Sequence, residues 1–160
     1  MGTTKLSAAV EESTSAPMGT VLGVKDIQQA IKFYKTLGFH LDTALPGANG
    51  QLTVAFLTFG SSMLILGRLD ELHYEHKVRA RKIRKGPHGL GVTLTLLVPD
   101  LNKVYKAVKK ADLEILLEPV DEFYGDRVFM FLDPDGYEWK ISQTIKRVSP
   151  EEVAEIVANS

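Results

Sequence analysis

Apolar and polar positions follow two rhythms along this chain, and the same succession of rhythms occurs twice. Between Val21 and Leu41, in VLGVKDIQQAIKFYKTLGFHL, a short run rich in β-forming residues stops at Asp26. Apolar residues then recur at Ile27, Ala30, Ile31, Tyr34 and Leu37. That three-and-four spacing is the signature of a helix with one buried face. Between Thr95 and Ile115, TLLVPDLNKVYKAVKKADLEI repeats the design, with Leu101, Val104, Tyr105 and Val108 forming the stripe. Val24 and Val98, Asp26 and Asp100, Ile27 and Leu101, and Ala30 and Val104 correspond at a constant offset of 74 residues. Asp26 and Asp100 are natural helix N-caps, because a short carboxylate can accept the orphan amides of the first turn. Gly38 in LGF stops the first helix.

Each half goes on with strand-forming segments hinged on a glycine. QLTVAFLTFG and SSMLILG flank Gly60, and DRVFMFLDPDG and YEWKISQ flank Gly136. The predicted order in each half is strand, helix, strand, strand, strand. Modules of about 18–70 and 90–146 follow, joined by a linker over 71–89 that closes on Gly86, Pro87 and Gly89. Residues 1–17 are small and polar, without a continuous apolar core, and read as a tail rather than a signal peptide. Residues 147–160 read as a terminal helix from about Pro150 to Ala158. Ser149, Pro150 and Glu152 stand in the positions of an N-cap, a first helical residue and the third residue of a capping box.

Composition narrows the function classes. The 160 residues are 44% hydrophobic and 24% charged, the range of a globular protein able to bury its own core. The absence of cysteine removes thiolate nucleophiles and Cys-ligated zinc, and it fits a cytoplasmic setting. A net charge of −1 exerts no global pull on nucleic acid or anionic lipid. No apolar run approaches the roughly 20 residues that span a bilayer, so no membrane role is expected.

The segments DIQQAIKFYKTLGF and YGDRVFMFLDPDGYEWKIS resemble the first helix and the last hairpin of the vicinal oxygen chelate superfamily, the glyoxalase/bleomycin-resistance/dioxygenase group. The resemblance covers roughly Met18 to Gln143. It implies an α+β fold in which two βαβββ modules form a curved mixed sheet around a groove, here with an added C-terminal helix. Metal-dependent members place ligands on the first strand of each module, seven residues before the Asp, and on the last strand, four residues after the turn Gly. Those positions are Gly19, Thr93, Leu64 and Lys140 here. Gly and Leu offer no donor, Thr is a poor one, and Lys brings a positive charge. The resemblance therefore implies a metal-free member with no cofactor, in the manner of antibiotic-sequestering proteins, and a homodimer.

Strand parity puts Thr93, Thr95 and Leu97, and then Lys140 and Ser142, on the groove side of the second module, with Leu94, Leu96, Val98, Trp139 and Ile141 facing its helix. Val21, Gly23, Leu64 and Leu66 are expected to give the first module an apolar groove wall. Such a pocket suits a partly aromatic or anionic small molecule. Tyr124 could stack on it, and Arg127 could grip an anion through two hydrogen bonds. The competing readings are an ion pair of Lys140 with Glu138 or Asp126, and a surface salt bridge for Arg127. An enzyme on the same scaffold is the alternative function: an isomerase, cyclase or lyase using Lys140, Glu138 or Tyr124, or a metal-dependent lyase or dioxygenase. His73 and His76 in HYEH share a helical face without an evident third ligand, and His88 borders the glycine turn. Lys77–Lys85 carries six basic residues in nine, which reads as a solvated face and, as a third possibility, a contact for an acidic partner. No nucleic-acid motif accompanies it, so a nucleic-acid partner is not expected.

Overall fold

The computed structural model describes residues 18–72 and 75–159. The expected tail, His73 and Tyr74 lie outside the described residues. The chain divides into two compact units, one running to Lys85 and the other from Gly86.

The first unit contains β1 (Gly19–Val24), α1 (Ile27–Thr36), β2 (His40–Pro46), β3 (Leu52–Phe59), β4 (Ser62–Arg68) and α2 (Lys77–Lys85). Its sheet has the order β1-β4-β3-β2, with β1 parallel to β4 and the other pairs antiparallel. Asp26 caps α1 by accepting the Gln29 amide at 3.0 Å. The helix lays Ile27, Ala30, Ile31 and Tyr34 on the sheet face formed by Leu22, Val24, Ala55, Leu57, Leu64 and Leu66, all of them buried. This apolar layer holds the unit together.

The second unit repeats the plan with β5 (Thr93–Leu97), α3 (Leu101–Lys110), β6 (Ile115–Asp121), β7 (Asp126–Leu132) and β8 (Glu138–Thr144), followed by α4 (Pro150–Ala158). Its sheet order is β5-β8-β7-β6, with β5 parallel to β8. Asp100 caps α3 through the Lys103 amide at 3.0 Å. Leu101, Val104 and Val108 pack with Leu96, Phe129, Phe131, Trp139 and Ile141 as the buried layer. The α+β architecture of two βαβββ modules and a C-terminal helix is as the sequence predicts. The capping box of α4 forms in both directions: Ser149 Oγ accepts the Glu152 amide, and Glu152 accepts the Ser149 amide at 2.8 Å.

The two modules differ in one residue, and that residue decides which side chains face away from the helices. Gly19 pairs with Met63 on β4, whereas its equivalent Thr93 pairs with Glu138 on β8. The offset between copies is thus 74 on the first strands and 75 on the last. Its origin is the hairpin: Phe59 and Ser62 close a tight two-residue turn, while Leu132 and Glu138 enclose a longer one. Because side chains alternate faces along a strand, a slip of one residue inverts the assignment. Leu64 and Leu66, expected on the groove wall, are therefore 3% and 0% exposed beneath α1. Ile65, opposite Val21, occupies the position equivalent to Lys140.

Candidate functional site

The face of the second sheet turned away from α3 carries most of the candidate chemistry. Residues paired across strands share a face. The register therefore builds rows across it. Thr95, Lys140, Met130 and Leu117 form one row, and Leu97, Ser142, Val128 and Val120 form the next. Thr93, Glu138 and Leu132 flank the first of these rows on the other side. The face is thus mainly apolar with a polar column along β8; it is exposed around Leu97 and buried at Ser142 and Val128. Leu97 is 65% exposed, and Leu117 and Val120 on the same face are exposed as well.

Lys140 lies at the middle of that column. Its Nζ donates to Tyr124 Oη at 2.9 Å and sits 5.4 Å from the centre of the Tyr124 ring. The side chain is half-buried. Neither carboxylate expected as its partner is used that way. Glu138 accepts from the Thr93 hydroxyl. Asp126 accepts from Ser142 Oγ at 2.6 Å, and Ser142 is 3% exposed. Among the described residues no carboxylate forms an ion pair with Lys140. The ammonium has three donors and a neutral phenol for a partner.

Two local devices place these groups. The loop carrying Tyr124 turns at Gly125 (φ 96°), whose carbonyl accepts the Ile145 and Lys146 amides at 2.9 Å each. A Cβ at Gly125 would come within 2.1 Å of the Lys146 carbonyl oxygen, so only glycine fits. Asp133 sets the start of β8. Its buried carboxylate accepts the Asp135 and Tyr137 amides at 2.9 Å and the Trp139 indole N–H at 3.4 Å. The turn is therefore pinned one residue ahead of the strand that presents Glu138 and Lys140.

Arg127 departs from its expected role. It shares strand parity with Phe129 and Phe131, away from Lys140, and grips Asp121 across β6 and β7 through Nε (2.5 Å) and Nη2 (2.9 Å). That hydrogen bond, with charge attraction, holds the Asp121 carboxyl below its ordinary range and raises the guanidinium. On the far edge of the helical layer, Tyr105 donates to Glu118, which pushes its phenol above the usual value. Neither group belongs to the Lys140 face.

In the first unit the corresponding face is partly filled by its own chain. A Cβ at Gly23 would lie 2.4 Å from Leu69 Cδ2, and one at Gly67 would lie 2.5 Å from Leu72 Cδ2. Leu69 and Leu72 thus rest directly on the backbone of β1 and β4. The unit also has a hollow of about 440 Å³ lined by Lys25, Asp26, Gln28, Gln51 and Arg68, among others. Its guanidinium is already engaged: Arg68 binds Asp70 through Nε at 3.0 Å, Gln51 at 2.7 Å and Glu71 at 3.3 Å. His76 caps α2 by accepting the Arg79 amide at 3.2 Å, and its expected partner His73 lies outside the described residues. His88 stacks on Tyr137, with its ring Nδ1 3.3 Å from the Asp135 carbonyl.

Residues 19–141 match the family model for the Glyoxalase/Bleomycin resistance protein/Dioxygenase superfamily. The chain belongs to this superfamily. Solved structures similar to this superfamily member include TioX from Micromonospora sp. ML1, at 20% identity, covering 79% of this chain and 97% of TioX, with a TM-score of 0.61. Another is TnmS3, an antibiotic binding protein from Streptomyces sp. CB03234, at 22% identity, 78% and 92% coverage and a TM-score of 0.54. A third is lactoylglutathione lyase from Agrobacterium tumefaciens, at 16% identity, 79% and 91% coverage and a TM-score of 0.54. At these identities the likeness speaks to the fold alone. No curated protein matches the sequence. With the register corrected, the strand positions that the superfamily resemblance gives to metal ligands hold Gly19, Ile65, Thr93 and Lys140. Among the described residues, no group of three or more His, Asp or Glu is placed to hold a metal ion. The donor set at the four positions does not fit a divalent cation, which needs imidazole, carboxylate or amide lone pairs.

Proposed function

We propose that this superfamily member is a metal-free small-molecule-binding protein whose ligand lies against the open face of the second sheet, with Lys140 as its anchor. The observation that carries the reading is Lys140 itself. A half-buried ammonium loses hydration, and here the described residues return only a neutral phenol oxygen to it. Glu138 and Asp126 are both bonded to hydroxyls instead. A ligand oxygen in contact with Nζ supplies the missing acceptor. The apolar neighbours Leu97, Met130, Leu117 and Val120 favour a body that is partly aromatic. Tyr124, already beside the ammonium, offers it a ring face.

The chemistry of the four metal positions supports a metal-free site, with no step routed through a cation. Exposed Leu90, Val92, Leu97 and Phe123 in the second unit support a homodimer. A thermal-shift screen of the full chain against aromatic carboxylates, and separately against Ni²⁺, Zn²⁺ and Mn²⁺, tests the function. A ligand that binds the native state raises the melting temperature by mass action. The proposal expects a carboxylate hit that is lost in Lys140→Met and chromatographs unchanged after incubation. Metal stabilisation of the wild type with no carboxylate hit would defeat it, and chemical conversion of the hit would favour the enzyme reading.

A further inference from the structure

Three charged groups, Glu138, Lys140 and Asp126, stand along the open face of the second sheet, and their order adds to what the ammonium alone implies. Glu138, Lys140 and Ser142 occupy every second position of β8, and the Ser142 hydroxyl is bonded to Asp126. The column therefore reads carboxylate, ammonium, carboxylate. Glu138 and Lys140 are about 6.6 Å apart along β8, two residues of strand rise, and Asp126 stands on the other side of Lys140, on β7 opposite Thr144 and bonded to Ser142. Thr93 and Ser142 each spend one donor on these carboxylates. A carboxylate has about four lone-pair sites, so both keep acceptor capacity, while Lys140 keeps two of its three donors.

This order penalises a bare anion. Coulomb energy scales as the inverse of distance. An oxyanion hydrogen-bonded to Lys140 sits at about 2.8 Å from the nitrogen. Glu138 and Asp126 stand on either side of it along the face and repel it. In a uniform dielectric the two repulsions offset part of the single attraction, whatever the dielectric constant. A ligand that presents a hydrogen-bond donor on either side of its central acceptor turns both repulsions into hydrogen bonds.

We infer that the open face of the second sheet selects a ligand with one oxyanion or carbonyl acceptor flanked by two hydroxyl or amino donors, and discriminates against simple anions. The inference rests on the ligand lying against Lys140, as proposed above. The class includes aromatic acids bearing hydroxyls in both meta positions, which point to either side of the carboxylate along the strand.

Titration of the full-length ¹⁵N-labelled protein with benzoate and with 3,5-dihydroxybenzoate, followed by amide shifts, tests it. The dihydroxy acid is expected to bind about tenfold more tightly, the scale of one added hydrogen bond to a charged group. In Glu138→Gln, benzoate tightens and the dihydroxy acid weakens, so that the ratio falls toward one. Asp126→Asn gives the same collapse from the other flank and serves as the second variant. A wild-type ratio near one, a ratio unmoved in both variants, or no saturable binding of the dihydroxy acid overturns the inference. If Lys140→Met abolishes binding of both acids while the wild-type ratio is near one, the anchor stands and only the selection rule falls. If Lys140→Met leaves both acids bound as before, the anchor itself falls and the rule with it.

Discussion

Replacing Leu64 and Ile65 with alanine, one at a time, separates the two faces of the first sheet more sharply than any other pair of changes. The residues are neighbours in sequence and similar in size, but the register sends them to opposite sides. Leu64 is 3% exposed in the layer beneath α1, facing Leu57 and Leu66. Truncating a leucine there removes buried methyl groups and leaves a cavity lined by side chains that cannot fully close it. Such changes cost about 2–5 kcal/mol. Ile65 lies half-exposed on the other face, opposite Val21, which is 55% exposed. Truncation there forfeits only part of the transfer energy, on the order of 1 kcal/mol. For a chain of this length each kcal/mol shifts Tm by about 2–4 °C. Leu64→Ala is thus expected to melt roughly 4–20 °C below the wild type, and Ile65→Ala within about 4 °C of it. Thermal melts followed by far-ultraviolet circular dichroism read both values. Equal losses, or a larger loss in Ile65→Ala, would refute the register and with it the assignment of Ile65 to the position equivalent to Lys140.

Asp133→Ala removes the carboxylate that accepts two amides and the Trp139 indole N–H in a partly buried turn. Each unsatisfied group costs about 1–3 kcal/mol, and denaturant midpoints should fall accordingly, with the Lys140 amide shifting as the start of β8 loosens. A midpoint unchanged from wild type would show that the turn does not depend on this carboxylate. The α4 capping box predicts a pH response. The Ser149 amide bonded to Glu152 holds that carboxyl below its ordinary value. A depressed folded-state value means a stabilising contribution present above the unfolded carboxyl range and lost as pH falls through the lower, folded one. Amide exchange at Ser149–Val153 should therefore speed up on acidification into that range, and Glu152→Gln should abolish the pH dependence; exchange that is flat with pH in the wild type would contradict it.

The elements legible in sequence are those fixed by short-range chemistry. Asp26, Asp100 and Ser149 cap helices through amides three residues away, so each motif contains its own evidence. The apolar stripes of α1 and α3 were likewise complete within ten residues. What failed was information stored across strands. The face on which Leu64 lies depends on the length of a hairpin turn, and counting from Gly60 as from Gly136 shifts it by one. Arg127 lies six residues from Asp121, yet only the pairing of β6 with β7 turns that proximity into a two-pronged ion pair. The bonds of Asp126 to Ser142 and of Thr93 to Glu138 join residues 16 and 45 positions apart. They decide that Lys140 has no carboxylate partner among the described residues, and no local motif encodes them. Helix α2 reads as a solvated stretch because its charges leave little apolar face, and Ala80 is its one buried residue among those described.

A ligand anchored on Lys140 at the open face of the second sheet, as proposed, must be felt by the ammonium itself. Selective ¹⁵N labelling of lysine side chains, with the Lys140→Met variant identifying the resonance, lets the Nζ of Lys140 be followed directly as 3,5-dihydroxybenzoate is added. A saturable shift of that signal is expected, accompanied by amide shifts at Tyr124, Thr95 and Ser142. A saturating ligand that moves amides elsewhere and leaves the Lys140 signal in place would contradict it.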